Sequence, residues 1–380
     1  MDSLPYELLE IIVDELSLFH RSDLLRIRAV NKTFCALATP RVFACLHTTG
    51  TAKDAIAIWR VVRRTPLAEC VKSFFFLAIN VDTVRVLTGS MCFLEDWSQL
   101  YRLKYLAIAF YCLHRLTALE SLKLAFYGCN AHDGPDTQSQ VQRTILSTIL
   151  RQPPLPRLKK LHIVNMAPFH DPMFDLPSFR NLFISLESLC IMTHHGRSPQ
   201  RRFRDSFVKF WQHAIQRQVF NTLASHPQSL TQLILHSDID VGIVTTIDFS
   251  QLYFPALRRV SLNGFLFNEE THVEEFIVGQ RHTLRKLSVS NCNIAIHDPI
   301  HGPPRFWSQI YTRFADALEG LANGIHDTIF RNRYAELNLQ SGYSYDVVAL
   351  IRDEDEEALT MFNARIASTS KHVSLHTHRT

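Results

Sequence analysis

The sequence predicts an α/β chain in which a small all-helical module precedes an irregular repeat solenoid, a curved parallel sheet backed by helices. Three observations predict it. An apolar stripe at helical spacing opens the chain, and from Val71 onward a short strand-like pattern keeps returning. Between its copies lie amphipathic helical stretches, and strand, loop, helix, loop, strand is the order of a parallel sheet with helices behind it. The expected boundaries are 1–50 for the helical module, 51–345 for the solenoid, and 346–380 for a C-terminal helix and polar tail.

The opening run is Leu4 to Leu46. Pro5 has the fixed φ that suits a helix's first turn, and Leu8, Leu9, Ile12, Val13 and Leu16 follow at helical spacing. At about 100° per residue these five side chains fill a sector of roughly 140°, wider than the stripe of about 100° that a small core needs. Ile11 widens the apolar side, while Glu7, Glu10 and Asp14 cluster opposite. Ser22 or Asp23 suits the cap of a second helix, which carries Leu24, Leu25, Ile27 and Val30. Asn31 suits the cap of a third, with Phe34, Leu37 and Ala38 on one face, and Pro40 is expected to stop it. Val42, Phe43 and Leu46 close the module. Three short helices of this length form a marginal core without a staple, and neither a metal motif nor paired cysteines supply one. The surplus of apolar surface therefore calls for a partner protein.

The run L-P-x-E-L-L, the D-L-L-R, the V-N-K-x-F and the closing P-R-V-F-x-x-L together resemble the F-box. That resemblance implies docking onto the Skp-family adaptor of a cullin–RING ubiquitin ligase, and through the adaptor to a cullin. Leu4, Pro5, Leu8, Ile12, Leu16, Leu24, Leu25 and Val30 match the apolar positions that form the module's partner face or its core. Phe34 stands where many members of the family have tryptophan, a conservative departure.

The recurring pattern downstream is leucine or a substitute, two residues, leucine, one residue, leucine. Copies are Leu103-Leu106-Ile108, Leu119-Leu122-Leu124, Leu158-Leu161-Ile163, Leu186-Leu189-Ile191, Leu230-Leu233-Leu235, Leu257-Val260-Leu262 and Leu284-Leu287-Val289. Val71-Phe74-Phe76 and Tyr334-Leu337-Leu339 are weaker ends. This is the strand portion of a leucine-rich repeat, in which alternate residues face inward and outward. The steps from Leu161 to Leu189, Leu233 to Val260 and Val260 to Leu287 fall in the repeat window of about 20–29 residues. Others are longer, and Leu106 to Leu122 is too short for a full turn. The first of those copies is therefore either a helix or a local break, since Tyr105 to Leu119 also has helical spacing. Helices are expected over Gln138–Leu150, Arg204–Ala224 and Phe306–Phe330, with loops at His170-Asp171-Pro172, Gly196 to Pro199 and His297 to Pro304. A last helix follows the acidic run Asp353 to Glu357 and is expected to end near Ile366, before a frayed polar tail.

Composition narrows the function. Apolar residues are 46% and charged residues 20%, a folded composition, and a net charge of +4 gives little basis for nucleic-acid binding. Only 12 glycines are present, which disfavours phosphate loops, and G-x-G-x-x-G, G-x-x-x-x-G-K, G-x-S-x-G and H-E-x-x-H do not occur. The reading is a non-enzyme without cofactor. The longest apolar run, Tyr105 to Leu113, is too short for a bilayer, and the acidic N-terminus does not read as a secretory signal. A cytoplasmic or nuclear location follows, with eight scattered cysteines as reduced thiols. Among 19 histidines, His194-His195 cannot share an ion from a strand; His297 and His301 beside Asp298 read as a surface loop; and His372, His376 and His378 read as a tail. No metal site is assigned. Arg201, Arg202, Arg204 and Lys209 form the densest basic patch, but Phe203, Phe207 and Trp211 beside them suit core better than base stacking.

The binding face of a repeat sheet is its concave side, lined by the residues between the framework leucines. Here the strongest candidates are Lys123, His162, Met192, His236, Arg259, Asn263, Lys286 and Ser288, with Ala125, Lys160, Cys190, Gln232, Ser261, Ser290, Asn338 and Gln340 beside them. This polar, mildly basic set suits recognition of a protein client, an acidic segment among the options. Together with the F-box resemblance, which alone supplies the ubiquitin part, the expectation is a substrate-recognition subunit of a Skp–cullin–F-box ligase. The rival expectation is a leucine-rich-repeat interaction scaffold with no ubiquitin role.

Overall fold

The computed structural model describes residues 4–17, 21–78, 95–127, 135–195, 201–296, 305–318, 320–321, 332–338, 344–348 and 352–377. It is mixed α/β, with open sheets of mainly parallel strands backed by helices. Contacts divide the chain into two units: Met1–Tyr127 with Asp136–His162, and Gly128–Pro135 with Ile163–Thr380.

The first unit begins with helices α1 (Tyr6–Ser17), α2 (Arg21–Ile27) and α3 (Lys32–Phe43). They close on Leu9, Val13, Leu24, Phe34, Leu37, Ala38 and Val42, with Leu16, Ile27 and Phe43 packed at the margin. Asn31 caps α3 as its sequence position suggests, its Oδ1 accepting from the Phe34 N–H at 2.9 Å. Two expectations are corrected. Ser22 and Asp23 lie inside the first turn of α2 rather than at its cap, where Asp23 bonds Arg26 instead. Pro40 lies within α3 and does not end it. Side chains around the proline satisfy neighbouring carbonyls: the Thr39 hydroxyl bonds the Cys35 carbonyl at 2.6 Å and the Arg41 guanidinium that of Leu37 at 2.7 Å.

Directly after α3 comes strand β1 (Cys45–Thr48), so the sheet starts inside the segment 1–50. It pairs in parallel with β2 (Ser73–Leu77), which pairs with β3 (Ser121–Ala125). Leu46, Phe74 and Leu122 stand in register, as do Thr48, Phe76 and Leu124, and all six are buried. Helix α4 (Ala52–Val62), helix Glu95–Tyr111 and helix Pro135–Leu150 complete this unit. Phe110 lies edge-on to Phe74 and Phe76 at 5.3 and 5.7 Å. The copy Leu103-Leu106-Ile108 is therefore helical. Leu106 and Phe110 are buried one turn apart while Ile108 is exposed, a period that a strand cannot give. The weak copy Val71-Phe74-Phe76 is a true strand, all three side chains being buried.

Strand β4 (Lys160–Met166) divides between the units after His162. In the second unit β5 (Ser188–Thr193), β6 (Gln232–Val241), β7 (Arg259–Phe267) and β8 (Lys286–Ser290) run parallel in chain order. Leu189, Leu233, Val260 and Leu287 share one register position, and Ile191, Leu235, Leu262 and Val289 another. Behind them the helix Arg201–Lys209 continues as a π-helical stretch, Phe210–Phe220. Its Trp211 is fully buried, edge-on to Phe265 at 5.6 Å.

One device recurs at six strand starts. The carbonyl just before a strand accepts two consecutive N–H groups from the start of the next. Ala44, Lys72 and Glu120 do so in the first unit, and Glu187, Thr231 and Arg258 in the second. A shared acceptor fixes the register of each incoming strand before its side chains pack, which explains how unequal connections still yield aligned leucines.

The pattern breaks at the end of the second unit. Beyond a register shift between His236 and Val241, β7 also pairs with β9 (Asn293–Ile296), which pairs with β10 (Arg333–Asn338). Tyr334 thus lies beside Ile294 of β9, not beside β8, which carries the preceding copy of the repeat pattern. β10 pairs antiparallel with β11 (Ser344–Val348). Gly264 sits at the shift with φ +72°, where a Cβ would lie 2.3 Å from the Ser237 carbonyl oxygen. Helix Trp307–Ala317 packs on the final helix, Asp353–Thr377. That helix passes the expected stop at Ile366, because neither proline nor glycine follows before Thr377. Gly196 to Pro199, His297 to Pro304 and Leu339 lie outside the described residues, as does 322–330, so the helix expected to Phe330 is described only to Ala317.

Candidate functional site

Two surfaces carry the residues that the sequence singles out. On α1 the wide apolar sector splits into two stripes. Leu9, Val13 and Leu16 turn inward, while Leu4, Leu8 and Ile12, spaced at i, i+4 and i+8, stay 41%, 45% and 39% exposed. Leu25 of α2 and Val30 beyond it are likewise exposed, at 48% and 60%, and Pro5 is exposed ahead of α1. Leu24 is core and Leu16 is half-buried at its edge. The eight sequence-matched positions therefore separate into an outward group of six, with Leu16 and Leu24 inward.

Nothing about the exposure is forced by a poor core, because the three helices already bury seven apolar side chains against one another. Electrostatics pin the arrangement from the far side. Arg41 of α3 bonds Asp14 of α1 through its Nε and approaches Glu10 at 3.4 Å. The hydrogen bond from Arg41 holds the Asp14 carboxyl below the ordinary carboxylate range. Sequence reasoning took Glu10 and Asp14 as the plain polar side of α1 and missed this link, since α1 to α3 pairing has no local signal.

The second surface is the polar face of the strands. In the first unit Lys123 shares a register position with Phe75, and Phe75 with His47. The Lys123 ammonium lies over the Phe75 ring at 4.9 Å and His47 stands edge-on to that ring at 5.3 Å. His162, half-buried, is held below the ordinary imidazole range by burial and by the charges of Lys123 and Lys160. In the second unit three rows cross the sheet. Gln232, Arg259 and Lys286 form the first; Cys190, Ile234, Ser261 and Ser288 the second; Met192, His236, Asn263 and Ser290 the third. Asn338 and Gln340 contribute no described side chain.

These rows are less open than a plain alternation predicts. Cys190, Ile234, Ser261 and Ser290 are buried. His236 Nε2 and Ser261 Oγ lie 2.9 Å apart, and Asn263 donates to Ser290 Oγ at 2.9 Å, so much of the polar chemistry is spent inside the sheet face. Burial first, then the Arg259 charge, lowers the His236 pKa.

A cluster missed from sequence lies around the C-terminal half of β6. His194 Nδ1 is 3.0 Å from Asp238 Oδ2, which raises the imidazole pKa, and the His195 N–H bonds the same carboxylate at 2.9 Å. The His195 ring instead meets Phe207 edge-on at 5.6 Å, so the adjacent histidines diverge. Asp240 is half-buried, accepting both contacts of the Asn293 amide at 2.8 and 3.0 Å, and desolvation pushes its pKa up to about 6. Among the described residues no three His, Cys, Asp or Glu side chains converge to hold a metal ion, and no helix is long and apolar enough to cross a membrane. The six described cysteines form no disulfide with one another. Phe207 and Trp211 are core, whereas the side chains of Arg201, Arg202 and Arg204 lie outside the described residues, with His297, Asp298, His301, His378 and the side chains of His372 and His376.

No protein-family model matches this chain, and no curated protein matches it. Among solved structures it is similar to a chain in the crystal structure of the Rad7 and Elc1 complex in yeast. The identity is 14%, the TM-score 0.30, and the match covers 84% of this chain and 81% of that one. A likeness this loose says nothing of activity or partner.

Proposed function

We propose that this chain is a non-catalytic substrate-recognition subunit of a Skp–cullin–F-box type ubiquitin ligase, working in the cytoplasm or nucleus. The outward stripe of α1 and α2 docks the Skp-family adaptor, the adaptor brings the cullin, and the repeat sheet holds a client protein for modification by other subunits. One observation carries the reading: helices with a complete core of their own leave Leu4, Leu8, Ile12, Leu25 and Val30 in water. Covering a large aliphatic side chain yields about 1.5–3 kcal/mol, so five of them make a strong docking face even after the cost of association. The motif order L-P-x-E-L-L, D-L-L-R and P-R-V-F-x-x-L supports the identity of the partner.

Co-purification with the Skp-family adaptor tests it. The wild-type chain is expected to recover the adaptor, and Leu8→Asp with Ile12→Asp to lose it. Both side chains are exposed, so the helices stay folded and circular dichroism is expected to be unchanged. Recovery that ignores the two charges would leave only the rival reading, a repeat scaffold with no ubiquitin role.

A further inference from the structure

The rim where β7 and β8 begin carries more positive charge than the fold uses. Arg258 and Arg259 open β7, and Arg285 and Lys286 open β8, all exposed. Arg259 and Lys286 are register partners, placing their Cα atoms about 4.8 Å apart across the strands. Like charges set directly opposite destabilise a sheet. Arg285 is tied down, donating from Nη1 to the Gly320 carbonyl at 2.9 Å. The side chains of Arg258, Arg259 and Lys286 have no hydrogen-bond or carboxylate partner among the described residues.

The geometry points to a docking rim for an acidic, aspartate- and glutamate-rich segment of the client, held by Arg258, Arg259 and Lys286. This rests on the client-receptor reading above and names the chemistry of what the sheet holds. Charge complementarity is the first argument: three unpaired cations on one edge lower their mutual repulsion by taking up carboxylates. The backbone supplies the second. The N–H groups of Arg258 and Arg259 are spent on the Thr231 carbonyl, and those of Arg285 and Lys286 on the Arg258 carbonyl. No nest of free N–H groups is left to enclose a phosphate, so long flexible cations meeting carboxylates at an open edge is the arrangement that remains. Nucleic acid is disfavoured because stacking is missing. Cation–ring pairs among the described residues are made by Arg28, Arg63, Lys123 and Arg352, and none by these three. The neighbouring face is occupied with itself through the His236–Ser261 and Asn263–Ser290 bonds, which leaves the rim as the open chemistry.

Fluorescence anisotropy on the full-length chain tests the proposal, with a labelled peptide alternating glutamate and glycine as probe. Saturable binding is expected, weakening steeply as salt rises. Arg258→Glu, Arg259→Glu and Lys286→Glu together are expected to weaken it by at least about tenfold; Arg259→Glu alone is expected to weaken it more than Arg180→Glu, an exposed arginine on helix Pro177–Asn181 that serves as its charge-matched control. Unchanged binding in the triple variant overturns the proposal, as does binding insensitive to salt. Stronger binding of a phosphoserine–glycine peptide or of a single-stranded oligonucleotide in place of the acidic probe also overturns it. Should the triple variant misfold, the single Arg259→Gln change replaces it and is expected to weaken the probe measurably. The outcome is separable from adaptor docking: rim variants are expected to recover the adaptor normally, and Leu8→Asp with Ile12→Asp to bind the probe normally.

Discussion

Asp240 shows how one side chain ties the register shift of the second unit to pH. It sits near the end of β6 with a single amide, that of Asn293 at the start of β9, to satisfy both oxygens. Burial raises its pKa from 3.8 to about 6, so the native state holds the proton more tightly than the unfolded chain does. Stability from this group is therefore greatest below the ordinary carboxylate value and is lost as pH rises through about 6. Asp240→Asn keeps the shape and removes the charge. It is expected to stabilise the protein above that pH by about 1–3 kcal/mol and to flatten the difference from wild type in acid, read by urea unfolding across the range. A variant whose pH profile parallels wild type would show that the carboxylate is solvated. In the sequence Asp240 is one more acidic residue in Ser-Asp-Ile-Asp. Its partial burial arises from strands far apart in the chain, which no local pattern encodes. Asn31 is the opposite case: its cap was legible because donor and acceptor are three residues apart.

At the level of elements, α1 tests whether a helix can serve a core and a partner together. Its two stripes lie side by side, Leu9-Val13-Leu16 inward and Leu8-Ile12 outward, with Leu4 exposed just ahead of the helix. A charge on the inward stripe is buried without a partner and one on the outward stripe is not. Val13→Asp is thus expected to lower the melting temperature markedly and expose the module to protease, while Leu8→Asp shifts stability by no more than about 0.5 kcal/mol. Equal effects of the two would mean that both stripes are covered. The breadth of the apolar sector was readable from spacing; which half faces in was not, because that depends on where α2 and α3 lie. Leu103-Leu106-Ile108 reads from sequence as either a helix or a break for a related reason. A short apolar run fits both periods, and burial of Leu106 with Phe110 against β2 selected the helix. The long stripe from Phe207 to Leu223 left no such ambiguity, since its length alone exceeded any strand.

For the molecule as a whole, the proposed function puts docking and recognition on different kinds of structure, helices α1 and α2 for one and strand edges for the other. The proposed function then predicts a separable behaviour. A full-length chain with Leu8→Asp and Ile12→Asp is expected to keep hold of its client yet fail to deliver it to the ligase. In cells carrying only that variant, quantitative proteomics is expected to show the client accumulating and enriched with the bait. Loss of capture along with loss of delivery would contradict the division of labour.

What the sequence by itself determined is the local currency of the fold: period two in the strands, period three to four in the helices, the Asn31 cap, and an apolar excess in the first helices. These depend on neighbours within a few residues. Tertiary structure alone decided that Leu24 is core while Leu25 faces out, that β10 follows β9 instead of β8, that Asp240 is half-buried against Asn293, and that Arg258, Arg259 and Lys286 are left without partners among the described residues. The strand placements rest on which distant backbone carbonyl takes the next strand's N–H groups, and the helix faces on how α1, α2 and α3 pack; a contact between remote segments leaves no mark on the composition of either one.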